Sequence, residues 1–155
     1  MTERILVGVD GSEGSHRALA WAMEQAAARP AVVRAVIVWQ RTFDYGSQQY
    51  WPVDESIAAD AGERLAATVA NVAGHATAIK VEQSVLEGDP GRILCGQSAD
   101  ADLLVIGSRG LGGFAGLILG SVSTKCAHHS QCPVVIVPPA ASVRNPVFRK
   151  PGSCN

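Results

Sequence analysis

Five short strand-like runs, separated by stretches of helical period, constrain this chain more than any other feature. Arg4-Ile-Leu-Val-Gly-Val9, Ala31 to Trp39, Asp102-Leu-Leu-Val-Ile-Gly107 and Pro133-Val-Val-Ile-Val137 are nearly uninterrupted apolar runs. That is how a strand reads when both of its faces are covered. Ile79, Val81, Gln83 and Val85 alternate instead with Lys80, Glu82 and Ser84, as on an edge strand with one wetter face. Between the runs, Leu19, Ala22, Met23 and Ala26 repeat at helical spacing until Pro30, behind Ser12 as N-cap. Ile57, Ala61, Leu65, Val69, Val72 and Ala73 form one stripe of a helix over residues 54–74, closed by Gly74. Asp89 followed by Pro90 starts a third helix, and a fourth runs from Ser121 to about Ser130.

This alternation predicts an α/β fold: one doubly wound, five-stranded parallel sheet with helices on both faces and right-handed crossovers. The 155 residues suit one domain, long enough to bury roughly 70% of its unfolded surface. We expect that domain over residues 1–140. A flexible tail is expected over 141–155, where Pro146, Pro151 and Gly152 fall. A net charge of −1 argues against nucleic acid as a partner, because such proteins normally carry a basic excess on one face. No apolar run approaches the ~18 residues of a membrane span, and Met1-Thr-Glu-Arg leads straight into a strand rather than a signal peptide. The expectation is a soluble, cytoplasmic chain with no membrane partner. Cysteines stand at 95, 126, 132 and 154, with no Cys-x-x-Cys pair. Cys126, His128, His129 and Cys132 crowd together, but their spacing matches no common zinc pattern. Inert thiols and surface histidines are the simpler reading, and no metal site is expected.

In an open parallel sheet, ligands bind beyond the carboxyl ends of the strands, where the strand order reverses. Asp10, after the first strand, and Gly107, after the fourth, both belong to that edge. Gly107-Ser-Arg-Gly110 is followed nine residues later by Gly120-Ser121. A strand emptying into a glycine-rich loop that opens a helix is a phosphate-cradling arrangement. Glycine permits close approach of backbone N–H groups and positive φ, and the first helical turn offers unpaired N–H donors. Ser121 and Ser123 add hydroxyls. Arg109 has two readings, a partner for phosphate oxygen or a solvated loop cation. Asp10 also has two: an acceptor for a base or ribose, or a turn-former on nearby backbone N–H groups. The apolar loop from Leu111 to Leu119 either folds over phosphates, with Phe114 or Leu117 against a partner, or is a plain connection. Residues 40–53 hold Phe43, Tyr45, Tyr50 and Trp51 without clear period, as a lid, a partner surface or packing over the sheet edge. There is no Gly-x-x-x-x-Gly-Lys-Ser/Thr, no Gly-x-Gly-x-x-Gly after the first strand, and no nucleophile elbow at Ser108. With no evident general base, little catalytic rate enhancement is expected.

The signature Gly107-x-x-Gly110, nine residues, Gly120-Ser121, with Ile5-Leu-Val-Gly-Val-Asp10-Gly-Ser and Cys132-Pro-Val-Val-Ile-Val-Pro138, resembles the ATP-binding members of the universal stress protein family. The resemblance covers nearly the whole domain. It implies strand order 3-2-1-4-5, in a Rossmann-like sheet of the adenine nucleotide alpha hydrolase type. ATP is the implied ligand, with ADP, AMP or cyclic AMP as alternatives and Mg2+ as a candidate companion. Val9, Asp10 and Val38 would surround adenine and ribose. Gly107, Arg109, Gly110, Gly120, Ser121, Val122 and Ser123 would hold ribose and phosphates, Arg109 at a position that varies among such proteins. A homodimer is implied through antiparallel pairing of the fifth strand, Val134 to Val137, bounded by Pro133 and Pro138. The implied role is regulatory, in a stress response, with at most slow ATP hydrolysis or autophosphorylation on Ser121 or Ser123. The alternatives are a weak ATPase or nucleotidyl-transfer enzyme, a cyclic AMP binder, or a nucleotide-independent interaction module.

Overall fold

The fold is that of a computed structural model, which describes residues 2–41, 43–50, 55–74, 79–112 and 118–140. The expectations for Trp51, Phe114, Leu117 and the tail 141–155 lie outside those residues.

The continuous apolar runs form β1 (Glu3–Val9), β2 (Ala31–Trp39), β6 (Leu103–Gly107) and β7 (Val134–Val137); the alternating run forms β5 (Val81–Glu87). Two two-residue strands, β3 (Phe43–Asp44) and β4 (Gln49–Tyr50), pair with each other antiparallel. The helices are α1 (Glu13–Ala27), α2 (Glu55–Ala73), α3 (Pro90–Gln97) and α4 (Ser121–His129). The main sheet is parallel throughout and ordered β5-β2-β1-β6-β7. Counting only its own strands, that is the expected 3-2-1-4-5. Strand order reverses between β1 and β6, which lie side by side with Ile5 opposite Leu103 and Val7 opposite Val105.

The two-residue period of the strands divides the apolar side chains between two cores. Ile5, Val7 and Val9 of β1, Val33, Ala35 and Ile37 of β2, and Leu103 and Val105 of β6 pack with α1 and α2 residues. Leu6, Val36, Leu104 and Ile106 point the other way, joining Leu94 of α3 and Cys126 of α4. The second core is the smaller one. Gly8 falls on its face of β1 and contributes no side chain.

One expectation is refined and another corrected. Within residues 40–53, read above as lacking clear period, the described residues 43–50 hold the β3–β4 hairpin, with Tyr45 and Tyr50 exposed. By contrast, β5 does not separate into one apolar and one wet face. Val85 is 37% exposed, whereas Leu86 on the opposite face packs against the smaller core, and Ile79 precedes the strand. An edge strand is half-covered on both sides, so alternation alone does not decide its buried face.

Helix starts follow the sequence signals. The Ser12 side chain accepts from Ser15 N–H at the start of α1, and Asp89 accepts from Arg92 N–H at 2.8 Å at the start of α3. Asp89 also receives Lys125 Nζ of α4 at 2.8 Å, which ties the two helices together. The Lys125 hydrogen bond, then the Arg92 N–H, hold the Asp89 carboxyl below its ordinary range. A depressed folded pKa stabilises the fold above the unfolded value, near 3.9, and that contribution is lost as pH falls through the folded value. Asp89→Ala is expected to destabilise the protein by about 1 kcal/mol at neutral pH. In urea titrations, the difference from the unsubstituted protein should shrink at acidic pH.

Candidate functional site

Beyond the carboxyl ends of β1 and β6, the loops after Val9 and Gly107 face each other. They enclose a cavity of about 480 Å³. All ten residues singled out from the sequence line it: Val9, Asp10, Val38, Gly107, Arg109, Gly110, Gly120, Ser121, Val122 and Ser123. One end is apolar, with Val36, Val38, Leu94 and Ile106 from the smaller core's face of the sheet and from α3. The other end is main chain and hydroxyl, from Gly107 to Gly112 and from Gly120 to Ser123.

The polar end is fixed by one carbonyl. Ser108 O accepts Gly120 N–H at 2.7 Å and the Ser123 hydroxyl at 2.8 Å. The start of α4 is thereby pinned to the end of β6. Among the described residues, nothing accepts from the backbone N–H groups of Ser121, Val122 and Ser123, unlike the capped starts of α1 and α3. A helix start of this kind is a ready anion site. Ser123 is buried and its hydroxyl proton goes to main-chain carbonyls, so its side chain braces the helix. Ser121 is exposed and lines the cavity.

Asp10 closes the opposite side. Ser12 N–H donates to Oδ1 at 2.9 Å and Leu111 N–H to Oδ2 at 3.1 Å. Of the two readings open in the sequence, its side chain makes the turn bonds, and it also joins the two loops across the cavity. Arg109 is the one cationic side chain among the lining residues, and Asp10 the one carboxylate.

The loop glycines act by close approach rather than by unusual backbone. Positive φ among the described glycines occurs at Gly11, Gly74 and Gly88, whereas Gly120 has φ −80°. A Cβ on Gly107 would lie 2.8 Å from the Gly14 carbonyl carbon, and one on Gly14 would lie 2.8 Å from Arg109 O. These two glycines let the start of α1 rest against the end of β6. A Cβ on Gly110 would strike Asp10 Oδ2. Gly120 differs, because its nearest neighbours stand at 3.6 Å, an ordinary contact. Its free side faces the cavity.

Sequence reasoning missed several lining residues, including Gly8, Ser12, Ser15, Pro90, Leu94 and Ile106. An isolated glycine inside a strand pattern is the one signal that pointed to Gly8; the others depend on sheet register and on where α3 docks. A smaller cavity of about 280 Å³ adjoins the first, sharing Asp10, Val38 and Leu111, and is bounded by Trp39, Asp60 and Arg64. Among the described residues, no three His, Cys, Asp or Glu side chains gather as metal ligands. No helix there is long and apolar enough to cross a membrane.

The sequence profile of the universal stress protein family matches residues 1–138. The chain belongs to that family. Universal stress protein Rv2623 of Mycobacterium tuberculosis is 34% identical over 137 residues, covering 85% of this chain and 44% of the relative. Rv2624c of the same organism is 33% identical, covering 86% and 47%. The chain thus spans less than half the length of these relatives. A solved universal stress protein in complex with cAMP is 31% identical, with TM-score 0.55 over 87% of this chain and 95% of that one. The fold alone is shared with a universal stress family protein of Arabidopsis thaliana with AMP bound, at 20% identity and TM-score 0.58, over 90% and 93% of the two chains.

The glycine geometry yields a paired prediction for this universal stress protein. Gly107→Ala should cost about 1–3 kcal/mol of stability through forced overlap of main chain. Gly120→Ala should leave stability within about 0.5 kcal/mol. Thermal and urea unfolding of both variants distinguish the two roles.

Proposed function

We propose that this chain is an adenine-nucleotide-binding regulatory protein of the stress-response type, with ATP as ligand. The observation that carries the reading is the uncapped start of α4. Its N–H groups open into a cavity whose far end is apolar, so one anionic and one flat apolar moiety suit the two ends. Adenine and ribose would lie against Val9, Asp10 and Val38. Ribose and phosphates would be held by Gly107, Arg109, Gly110, Gly120, Ser121, Val122 and Ser123. The helix dipole contributes about 0.3–1 kcal/mol per favourable charge, up to ~2 when partly buried, so several N–H groups must act together. With Arg109 the sole lining cation, Mg2+ would offset the remaining triphosphate charge. The relative solved with cAMP supports an adenine nucleotide and makes cyclic AMP the alternative ligand.

Turnover is expected to be slow. Both oxygens of Asp10, the one lining carboxylate, already accept backbone N–H groups, which leaves no evident base to activate water. Weak ATPase or nucleotidyl-transfer chemistry is the second reading, and a nucleotide-independent interaction module the third. The proposal extends to a homodimer through β7, an outer strand of the sheet that pairs on one side with β6. It also places the protein in the cytoplasm, in keeping with the free thiols at Cys95, Cys126 and Cys132.

Calorimetric titration with ATP, ADP, AMP and cyclic AMP tests the ligand. Gly120→Val should abolish binding while the variant still unfolds cooperatively. Unchanged binding by that variant would remove the phosphates from the α4 start, and silence of the unsubstituted protein toward all four at millimolar concentration would favour the interaction module. Sedimentation equilibrium tests assembly: a dimer is expected, and a monomer at high concentration overturns the β7 pairing.

A further inference from the structure

Three of the four cysteines converge on the smaller core, although they come from α3, from α4 and from the connection before β7. Cys126 is fully buried there, with Cys95 and Cys132 packed against its edge. Cys95 packs against the cluster that holds Cys126, and its Sγ lies 3.8 Å from the carbonyl oxygen of Lys125, the residue before Cys126. Cys132 is turned to a different neighbour, with its sulfur 3.7 Å from Ser130 Oγ. Cys95 and Cys126 therefore stand together on the two helices that flank the cavity. Leu94, adjacent to Cys95, and Val122 and Ser123, on the turn before Cys126, all line it.

We propose that Cys95 and Cys126 form an oxidative modification site, joined as a disulfide by a peroxide. Cys95 is half-buried and within reach of a small oxidant; Cys126 is shielded. In the first step, the Cys95 sulfur attacks one peroxide oxygen and the O–O bond breaks. Cys95 becomes a sulfenic acid, and the other oxygen leaves as water, or as an alcohol from an organic peroxide. In the second step, Cys126 sulfur attacks the Cys95 sulfur. The S–S bond forms, the S–O bond breaks, and a second water carries off the hydroxyl with the Cys126 proton. Two thiols are oxidised by two electrons and one peroxide is reduced. The order follows from the environments. Burial, then the neighbouring Cys95, pushes the Cys126 thiol up to about 12, so it stays protonated until an electrophilic sulfur stands beside it.

The bond acts on the cavity through packing. α3 and α4 are already close, because a Cβ on Gly91 would lie 2.6 Å from Lys125 Cδ. Drawing the two sulfurs to bonding distance shifts α3 against α4 and rotates the side chains they carry. Leu94 and Val122 are among them. This consequence rests on the nucleotide reading above, whereas the cross-link itself does not.

The test treats the full chain with hydrogen peroxide, blocks remaining thiols under denaturing conditions, and maps peptides by mass spectrometry with and without reductant. A Cys95–Cys126 peptide pair that disappears on reduction, and is absent from Cys95→Ser, is expected. Cys126→Ala, which retains an apolar side chain in the core, should instead leave Cys95 as a trappable sulfenic acid. A pair linking Cys132, an intermolecular pair, or no pair at all would overturn the site. Titration of the oxidised protein should show nucleotide affinity reduced roughly fivefold or more and restored by reductant. An unchanged affinity with the bond in place would overturn the coupling to the cavity. Because the peptide map needs no nucleotide, failure of nucleotide binding and failure of the disulfide read out separately.

Discussion

The Ser108 carbonyl holds the architecture of the site together. Its two lone pairs receive a main-chain N–H from Gly120 and a hydroxyl from Ser123, joining positions twelve and fifteen residues further along the chain. Ser108 is itself seated by its N–H on Val137 O at 2.9 Å, so the end of β6, the end of β7 and the start of α4 share one residue. Buried main-chain groups of this kind must be paired. Here the pairing sets where the free N–H groups of α4 point. The donors left over, on Ser121, Val122 and Ser123, are the ones turned to the cavity.

Asp10 plays the corresponding part on β1. A carboxylate at the mouth of a cavity lined by main-chain N–H groups is costly to leave unpaired. Two N–H groups, from Ser12 and Leu111, donate to the carboxylate from opposite loops, and a carboxylate so bonded is largely satisfied. It also explains why Gly110 has no room for a side chain, since a Cβ would occupy the carboxylate's place. Sheet order brings Asp10 and Gly107 to one edge, and these hydrogen bonds turn that neighbourhood into an enclosed space.

Much of this was legible before any coordinates. The strands announced themselves because buried parallel strands need apolar residues on both faces. The α1 and α3 starts did so because Ser12 and Asp89 are side chains with one good use at a helix start. The glycine-rich loop located the cavity, and of the two glycine roles expected there, close approach and positive φ, Gly107 serves the first, toward the start of α1. Asp10 was ambiguous because base recognition and turn formation call for the same residue type. The apolar floor was not legible, since Leu94 and Ile106 meet only through helix docking and strand register. The face of β5 is legible at Ile79 and Val81, which pack against the larger core, but not at its far end, where Val85 and Leu86 are equally apolar neighbours.

The unequal cores bring these observations together. The α1–α2 side of the sheet is filled by side chains, whereas the α3–α4 side gives up part of its volume to the cavity, with Leu94 and Ile106 closing over the bare backbone of Gly8. Space left in a core forfeits packing contacts, so that side must be held by other means. The ties run between α3, α4 and the segment after α4. They are Asp89 with Lys125, Ser98 Oγ accepting Gln131 N–H at 2.8 Å while donating to Cys95 O at 2.7 Å, and Cys95 Sγ against Lys125 O at 3.8 Å. Polar and sulfur contacts thus hold the helix pair in place where apolar packing is incomplete. Whatever fills the cavity completes the smaller core, so occupancy and stability of this half of the molecule are linked.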